Sequence, residues 1–349
     1  MTAPAPTPLL EIKNLKMHFP IYKGFFQRQI GSVRAVDDVS FTIHRGEVLG
    51  MVGESGCGKS TVAKSLVRAL EPTAGTMTYH PERGSAIEIS HLPERELRLL
   101  RREIRMIFQD PYSSMNPRMT VEEIIGEPLL NLTGISARER REKVSALLER
   151  VGLRPEYRHR YPHAFSGGER QRIVIARALA LDPRLVIADE AVTALDVSVR
   201  AQVLDLLKDL QRDMNLTYLF ISHDLSVIKH ICNRVAVMYV GKLVEMAPTH
   251  QLYAKPRHPY TEALLSAVPI PDPRLRNSES RILLEGDVPD PSNPPPGCPF
   301  HTRCRYAQDR CRVDVPALRD VGDGHLAACH FAEELDLRGV VMRTAPANV

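Results

Sequence analysis

Residues 53–60 read GESGCGKS, residues 185–190 read LVIADE, and FSGGERQR lies between them at 165–172. The first string fits G-x-x-x-x-G-K-[ST], a turn whose backbone N–H groups face phosphate oxygens. In it Gly53, Gly56 and Gly58 permit the turn, Lys59 reaches the β/γ-phosphates, and Ser60 offers a hydroxyl to Mg²⁺. The candidate nucleotide contacts are therefore Gly53, Ser55, Gly56, Cys57, Gly58, Lys59, Ser60 and Thr61, with the Cys57 side chain expected as small buried filler. Four apolar residues before Asp189-Glu190 put two carboxylates at the end of a buried strand, where open α/β sheets bind ligands. Asp189 suits the water shell of Mg²⁺, and Glu190 suits the water that attacks the γ-phosphate. Gln109 opens a loop after Met106-Ile107-Phe108, within reach of both, and His223 at the end of the strand 219–221 can donate to the γ-phosphate. Ser166-Gly167-Gly168 at a helix start is a second anion-binding terminus. One nucleotide rarely needs two such clamps from one chain, so a head-to-tail dimer is expected, Ser166 of one subunit closing over ATP held by Lys59 of the other.

These residues need a scaffold. The apolar run 48–52 reads as a buried strand feeding the phosphate turn, and 60–70 as a helix whose N-terminus faces the anion. Segments 10–19 and 33–43 read as an antiparallel lead-in sheet. Helical spacing dominates 109–160. A helix from 167 through 180, a strand at 185–188, a helix at 197–214 and a strand at 216–221 follow. Strands alternating with helices imply a mainly parallel α/β sheet. Beyond Pro248, Pro269, Pro271, Pro273 and then PDPSNPPPGCPF cannot form helix or sheet interior, because proline fixes φ and lacks a donor. The expected division is an ATP-binding domain over 9–256, with a helical subdomain at about 111–168, and an extension over 257–349.

Composition narrows the class. No apolar run approaches the roughly 20 residues that span a bilayer, and the start MTAPAPTPLLEIKN lacks the layout of a secretory signal. The net charge of +4 comes from interspersed charges rather than a basic stripe, which argues against nucleic acid as a partner. Of six cysteines, Cys57 and Cys232 stand alone, while Cys298, Cys304, Cys311 and Cys329 crowd the Pro-rich end. That end has too little apolar content for its own core and needs a staple. Four thiolates suit structural zinc or an iron–sulfur cluster, with His301 and His330 adjoining as alternative zinc ligands; unliganded thiols are the third possibility.

GESGCGKS, Gln109, FSGGERQR, LVIADE, TALD at 193–196 and His223 together resemble an ATP-binding cassette subunit. The resemblance implies that Phe19 stacks on adenine, with Tyr22, Phe25 and Phe26 as nearby alternatives, and that Asp196 lies at the dimer seam. Two departures are Glu169, where Gln is commoner, and Ala191, where Pro is commoner. QDPYSSMNPRMTV, DEAVTALDVSVRAQVL, ISHDLSVIKHI, RHPYTEALLSAVP and LEGDVPDPSNPPPGC are similar to the dipeptide/oligopeptide importer ATPases, and the DEAV and PYSSMNPR strings to the second of their two ATPase subunits. This implies an ATPase with ATP and Mg²⁺, working at the cytoplasmic face of the inner membrane. Its partners would be a homologous ATPase, two permeases and, indirectly, an extracytoplasmic peptide-binding protein. It also favours a [4Fe–4S] cluster over Zn²⁺ at the late cysteines. The other readings are a soluble cassette ATPase acting on nucleic acid or ribosomes, an exporter, and an importer of another cargo such as nickel.

Overall fold

The computed structural model describes residues 6–110, 114–268 and 281–340. The first residues expected in the helical subdomain, 111–113, the run holding Pro269, Pro271 and Pro273, and the last nine positions lie outside the described residues. Strands β1 (Pro8–Lys23) and β2 (Arg28–His44) pair antiparallel through a tight turn at Gly24–Gln27. Both run past the ends expected at Phe19 and Val33, because the ladder needs only backbone partners and continues where apolar alternation stops. Phe25 and Phe26 sit at the exposed tip, edge to face.

Next come β3 (Val48–Val52), α1 (Lys59–Leu66), β4 (Ala74–Tyr79), β5 (Ile87–Glu88), α2 (Glu94–Leu100) and β6 (Ile104–Ile107). The helical subdomain supplies α3 (Val121–Leu132) and α4 (Ala137–Arg150), and α5 (Gly167–Leu179) leads back to the core. Each of these three helices starts with a capping box: Thr120 with Glu123, Ser136 with Glu139, and Ser166 with Glu169. The chain continues through β7 (Leu185–Asp189), α6 (Val197–Met214), β8 (Thr217–Ile221), α7 (Leu225–Ile231), β9 (Arg234–Tyr239) and β10 (Lys242–Pro248). It ends in α8 (Thr249–Ala254), α9 (Pro259–Ser266), α10 (Asp309–Val313), β11 (Arg319–Asp320) and β12 (Leu326–Ala327).

Among the described residues two sheets form. The lead-in sheet has the order β2-β1-β4-β5, and the central sheet has the order β11-β12-β10-β9-β3-β8-β7-β6. The central strands β9, β3, β8, β7 and β6 are parallel, and β10 and β12 join antiparallel. Strand periodicity explains the layering. Val48, Val186 and Phe220 point into one apolar cluster, whereas Leu49, Ile187 and Leu219 point into the other, so both faces are covered.

The end of the chain builds only a small apolar cluster of its own, around Ala327, Cys329 and Ala332. The same segment adds β12 beside β10, with β11 as the outermost strand of the central sheet, and Cys298, Phe300 and Cys311 enter the cluster that also holds Tyr239 and Tyr260. Two fully buried carboxylates fasten it. Glu245 accepts from Arg257 N–H at 2.6 Å, His258 N–H at 3.1 Å and His325 Nε2 at 2.6 Å. Glu262 accepts from Arg305 at 3.0 Å and from Arg338 N–H at 2.8 Å. Buried donors left without an acceptor are costly. Glu245→Ala should therefore lower stability by about 3 kcal/mol and expose 281–340 to protease before the central sheet is cut. Limited proteolysis with mass mapping checks this, and uniform cleavage would reject the fastening role.

Candidate functional site

Strand β3 delivers the chain into the phosphate turn. Gly53 has φ 152°, and a Cβ there would stand 2.2 Å from the Met238 carbonyl; Gly58 has φ 108°, with the Ala35 carbonyl equally close. Only glycine fits either place. Ser55 and Gly56 are exposed on the rim, and Thr61 lies in the first turn of α1. Lys59 is buried, its Nζ donating to Gly53 O at 2.8 Å and Glu54 O at 2.9 Å. The ammonium is thus held over the turn by its own carbonyls. Cys57 is buried, and burial pushes its thiol up.

The carboxylates fall where β7 ends. Asp189 is buried and accepts from Ser60 Oγ at 3.1 Å, which joins the phosphate turn to the strand end. Burial raises its pKa, the neighbouring Glu190 charge adding to the effect; a divalent cation would reverse it. Glu190 adopts φ 49°, a left-handed turn that takes it out of the strand while its N–H still bonds Ile221 O at 3.0 Å. Each oxygen of its carboxylate has a partner: Gln109 Nε2 donates to Oε2 at 2.8 Å, and His223 Nδ1 lies 3.3 Å from Oε1. Amide and imidazole thereby fix the direction in which a carboxylate can receive a proton. The structure brings Lys59, Ser60, Asp189, Gln109, Glu190 and His223 to one end of the central sheet.

Ser166, Gly167, Gly168 and Asp196 form a second group, whose partners are one another's helices. The Ser166 hydroxyl and N–H both bond the Glu169 carboxylate, at 2.8 Å and 2.9 Å. These bonds hold the Glu169 carboxyl below its usual range. A Cβ on Gly168 would lie 2.4 Å from Val199 Cγ1, so α5 and α6 touch there and any side chain would require the Val199 methyl to move. Ser166, Gly167 and Asp196 are exposed. Phe19 is partly buried against the cluster that includes Cys57, whereas Tyr22, Phe25 and Phe26 are exposed.

Cys298, Cys304, Cys311 and Cys329 line one small cavity with His301 and His330. Their sulfurs are free thiols. Burial, with mutual repulsion added, pushes Cys298 up to about 12 and Cys304 up to about 11. Among the described residues no three His, Cys, Asp or Glu side chains stand in metal-ligand geometry. The cavity holds about 20 Å³, room for roughly one water-sized sphere. These dimensions do not admit a [4Fe–4S] cluster without the thiols moving apart.

One feature was not anticipated from sequence. Between α3 and the core a groove of about 820 Å³ is lined by Arg98, Arg101, Arg105 and Arg177, against Glu94 and Glu127. Burial, with Arg177 beside it, lowers the pKa of Arg105. The run RELRLLRREIR at 95–105 was the available signal. Phe108 lines the same groove, and the next residue is Gln109. No helix among the described residues is long and apolar enough to cross a membrane.

The family model described as ABC transporter matches residues 36–193, and that described as oligopeptide/dipeptide transporter, C-terminal region, matches 244–311. The oligopeptide transport ATP-binding protein AppF of Bacillus subtilis is 52% identical over 332 residues, covering 95% of this chain and 99% of that one. A probable peptide ABC transporter ATP-binding protein of Sinorhizobium fredii is 53% identical, covering 92% of this chain and 89% of that one. Among solved structures, the dimeric post-hydrolysis state of an ATP-binding cassette bound to ADP and Pi superposes with a TM-score of 0.60 at 27% identity, covering 69% of this chain and 99% of that one. With phosphate turn, paired carboxylates and C-terminal segment all matched, the chain belongs to the ATP-binding proteins of oligopeptide and peptide ABC transporters.

Proposed function

We propose that this chain hydrolyses ATP to drive import of di- or oligopeptides through a membrane permease. The observation that carries the reading is the Glu190 carboxylate held between Gln109 and His223, beside the Ser60–Asp189 pair. Lys59 neutralises phosphate oxygens and the turn's N–H groups cradle them, with Phe19 against the adenine. Ser60, Asp189 and Gln109 would hold Mg²⁺, which when bound would supply positive charge against the phosphate oxygens. Glu190 orients the attacking water and takes its proton, and His223 steadies the γ-phosphate. Because the curated relatives are transport and import proteins, nucleic acid, ribosomes and nickel are set aside.

Ser166, Gly167, Gly168 and Asp196 face the nucleotide of a second ATPase subunit. The exposure of Ser166, Gly167 and Asp196 and the dimeric likeness support this. To reach that nucleotide the Ser166 hydroxyl must exchange Glu169 for a phosphate oxygen. We take the partner to be a homologous, non-identical subunit, with two permeases and an extracytoplasmic peptide-binding protein completing the importer at the cytoplasmic face of the inner membrane. The arginine-lined groove suits an acidic segment of a permease, and through Phe108 it adjoins the loop that holds Glu190. Docking there would reach the hydrolytic carboxylate through the Phe108–Gln109 peptide bond and the Gln109–Glu190 hydrogen bond.

The late cysteines match Cys₄ ligation in number and type, which supports a metal staple. As the thiols now stand, a single Zn²⁺ meets the available volume better than the [4Fe–4S] alternative. Binding either would release the thiol protons.

Three outcomes test the reading. Glu190→Gln should keep ATP affinity, lower turnover by several orders of magnitude and trap an ATP-bound dimer; near-normal turnover at this subunit's own site rejects the role of Glu190. Arg98→Glu with Arg101→Glu should abolish co-purification with permease while ATP binding persists, and retained association would move the docking surface elsewhere. Anaerobically purified protein should contain either stoichiometric zinc or matched iron and acid-labile sulfide; neither leaves the cysteines as plain thiols.

A further inference from the structure

Glu54, the second residue of the phosphate turn, places a carboxylate where a polyanion is to bind. Uncompensated, that charge opposes the triphosphate. The compensation comes from the far end of the chain. Arg303 makes a two-pronged contact with it, Nη1 to Oε2 at 2.8 Å and Nη2 to Oε1 at 3.2 Å. The guanidinium side chain is only 7% exposed and the carboxylate side chain 27%, so the pair is poorly screened by solvent. Tyr239 Oη lies 3.4 Å from Arg303 Nη1, and Tyr260 Oη accepts from Glu54 N–H at 2.8 Å. Phe300, from the same short turn as Arg303, packs edge-on against Tyr239 at 5.2 Å between centroids and lies 5.4 Å from the Tyr260 ring. That turn is closed by Arg303 N–H on Phe300 O at 3.0 Å.

This ion pair differs from those that merely fasten the extension. The carboxylates of Glu245 and Glu262 sit on β10 and α9, whereas Glu54 lies inside the turn, and its carbonyl oxygen also receives Lys59 Nζ at 2.9 Å. The residue that Arg303 grips is therefore one of the two that seat the phosphate-binding ammonium.

We propose that Arg303 is a positioning residue for ATP: by neutralising and fixing Glu54 it makes the C-terminal extension part of the nucleotide site. The inference rests on the reading of residues 53–60 as the ATP-binding turn. It predicts that ATP affinity follows the local charge of the pair. The pair is neutral as it stands, Arg303→Met leaves it negative, Glu54→Gln leaves it positive, and the double variant is neutral again.

The test measures ATP dissociation constants on the full chain by displacement of a fluorescent nucleotide, at low and at physiological salt. Arg303→Met should weaken binding about tenfold, Glu54→Gln should tighten it about threefold, and the double variant should return to within about twofold of the unaltered protein. The spread should shrink as salt rises. A purely structural fastening loses the same contact in both single variants and would shift them alike. Equal affinities, or weakening in both singles with no recovery in the double, overturn the proposal. If Arg303→Met does not fold, Arg303→Gln replaces it: it likewise leaves the pair negative, should weaken binding by about the same factor, and should be reversed by adding Glu54→Gln, while unchanged affinity in Arg303→Gln overturns the proposal. Lys59→Ala serves as the control. Should it leave ATP affinity intact, the phosphate-turn reading itself fails; should it abolish binding while Arg303→Met has no effect, only this inference fails.

Discussion

A turn that offers most of its backbone N–H groups to an anion has few left to hold itself, here Cys57 N–H on Glu54 O at 3.3 Å, so it must be held from behind. Here that constraint shapes much of the molecule. The Met238 and Ala35 carbonyls press so closely on Gly53 and Gly58 that a methyl group has no room. Gly241 N–H reaches the Cys57 carbonyl at 3.0 Å, and Tyr260 and Arg303 take Glu54. Strands β2 and β9, helix α9 and the C-terminal extension all converge on one short stretch. The apolar clusters on both faces of the central sheet supply the stiffness that makes such convergence possible.

Much of this was legible in the sequence because the chemistry is local in sequence. The phosphate turn, the strand ending in Asp189-Glu190, and the helix opened by Ser166 each declare themselves within eight residues or so, and the structure has the corresponding elements at β3, β7 and α5. Gln109 and His223 were harder, being single residues, yet each followed a readable apolar strand. Their meeting on Glu190 needed only the parallel order of β6, β7 and β8.

The parts that were not legible depend on contacts between distant segments. Nothing in PDPSNPPPGCPF announces that the chain will return as β12 beside β10 in the central sheet, because a two-residue strand has no periodicity. The link from Arg303 to Glu54 spans 249 positions. The arginine groove was visible only as a charge run, since its walls come from α2, β6, α3 and α5. The hairpin tip with Phe25 and Phe26 was hidden for the opposite reason, lacking any alternation that burial would impose.

Helix α6 joins two places that the sequence presents as unrelated. At its start, Val199 fills the space beside Gly168, so the helix is wedged against the N-terminus of α5. At its other end, Gln211 donates to the Gly46 carbonyl at 2.7 Å, and Asn215 closes the helix in a left-handed conformation beside the same glycine. Gly46 lies just before β3, the strand that carries the phosphate turn. Eighteen residues of helix span about 27 Å. The helix therefore acts as a connecting rod between the N-terminus of α5 and the foot of the strand that leads into the phosphate turn, so neither end can shift without moving the other.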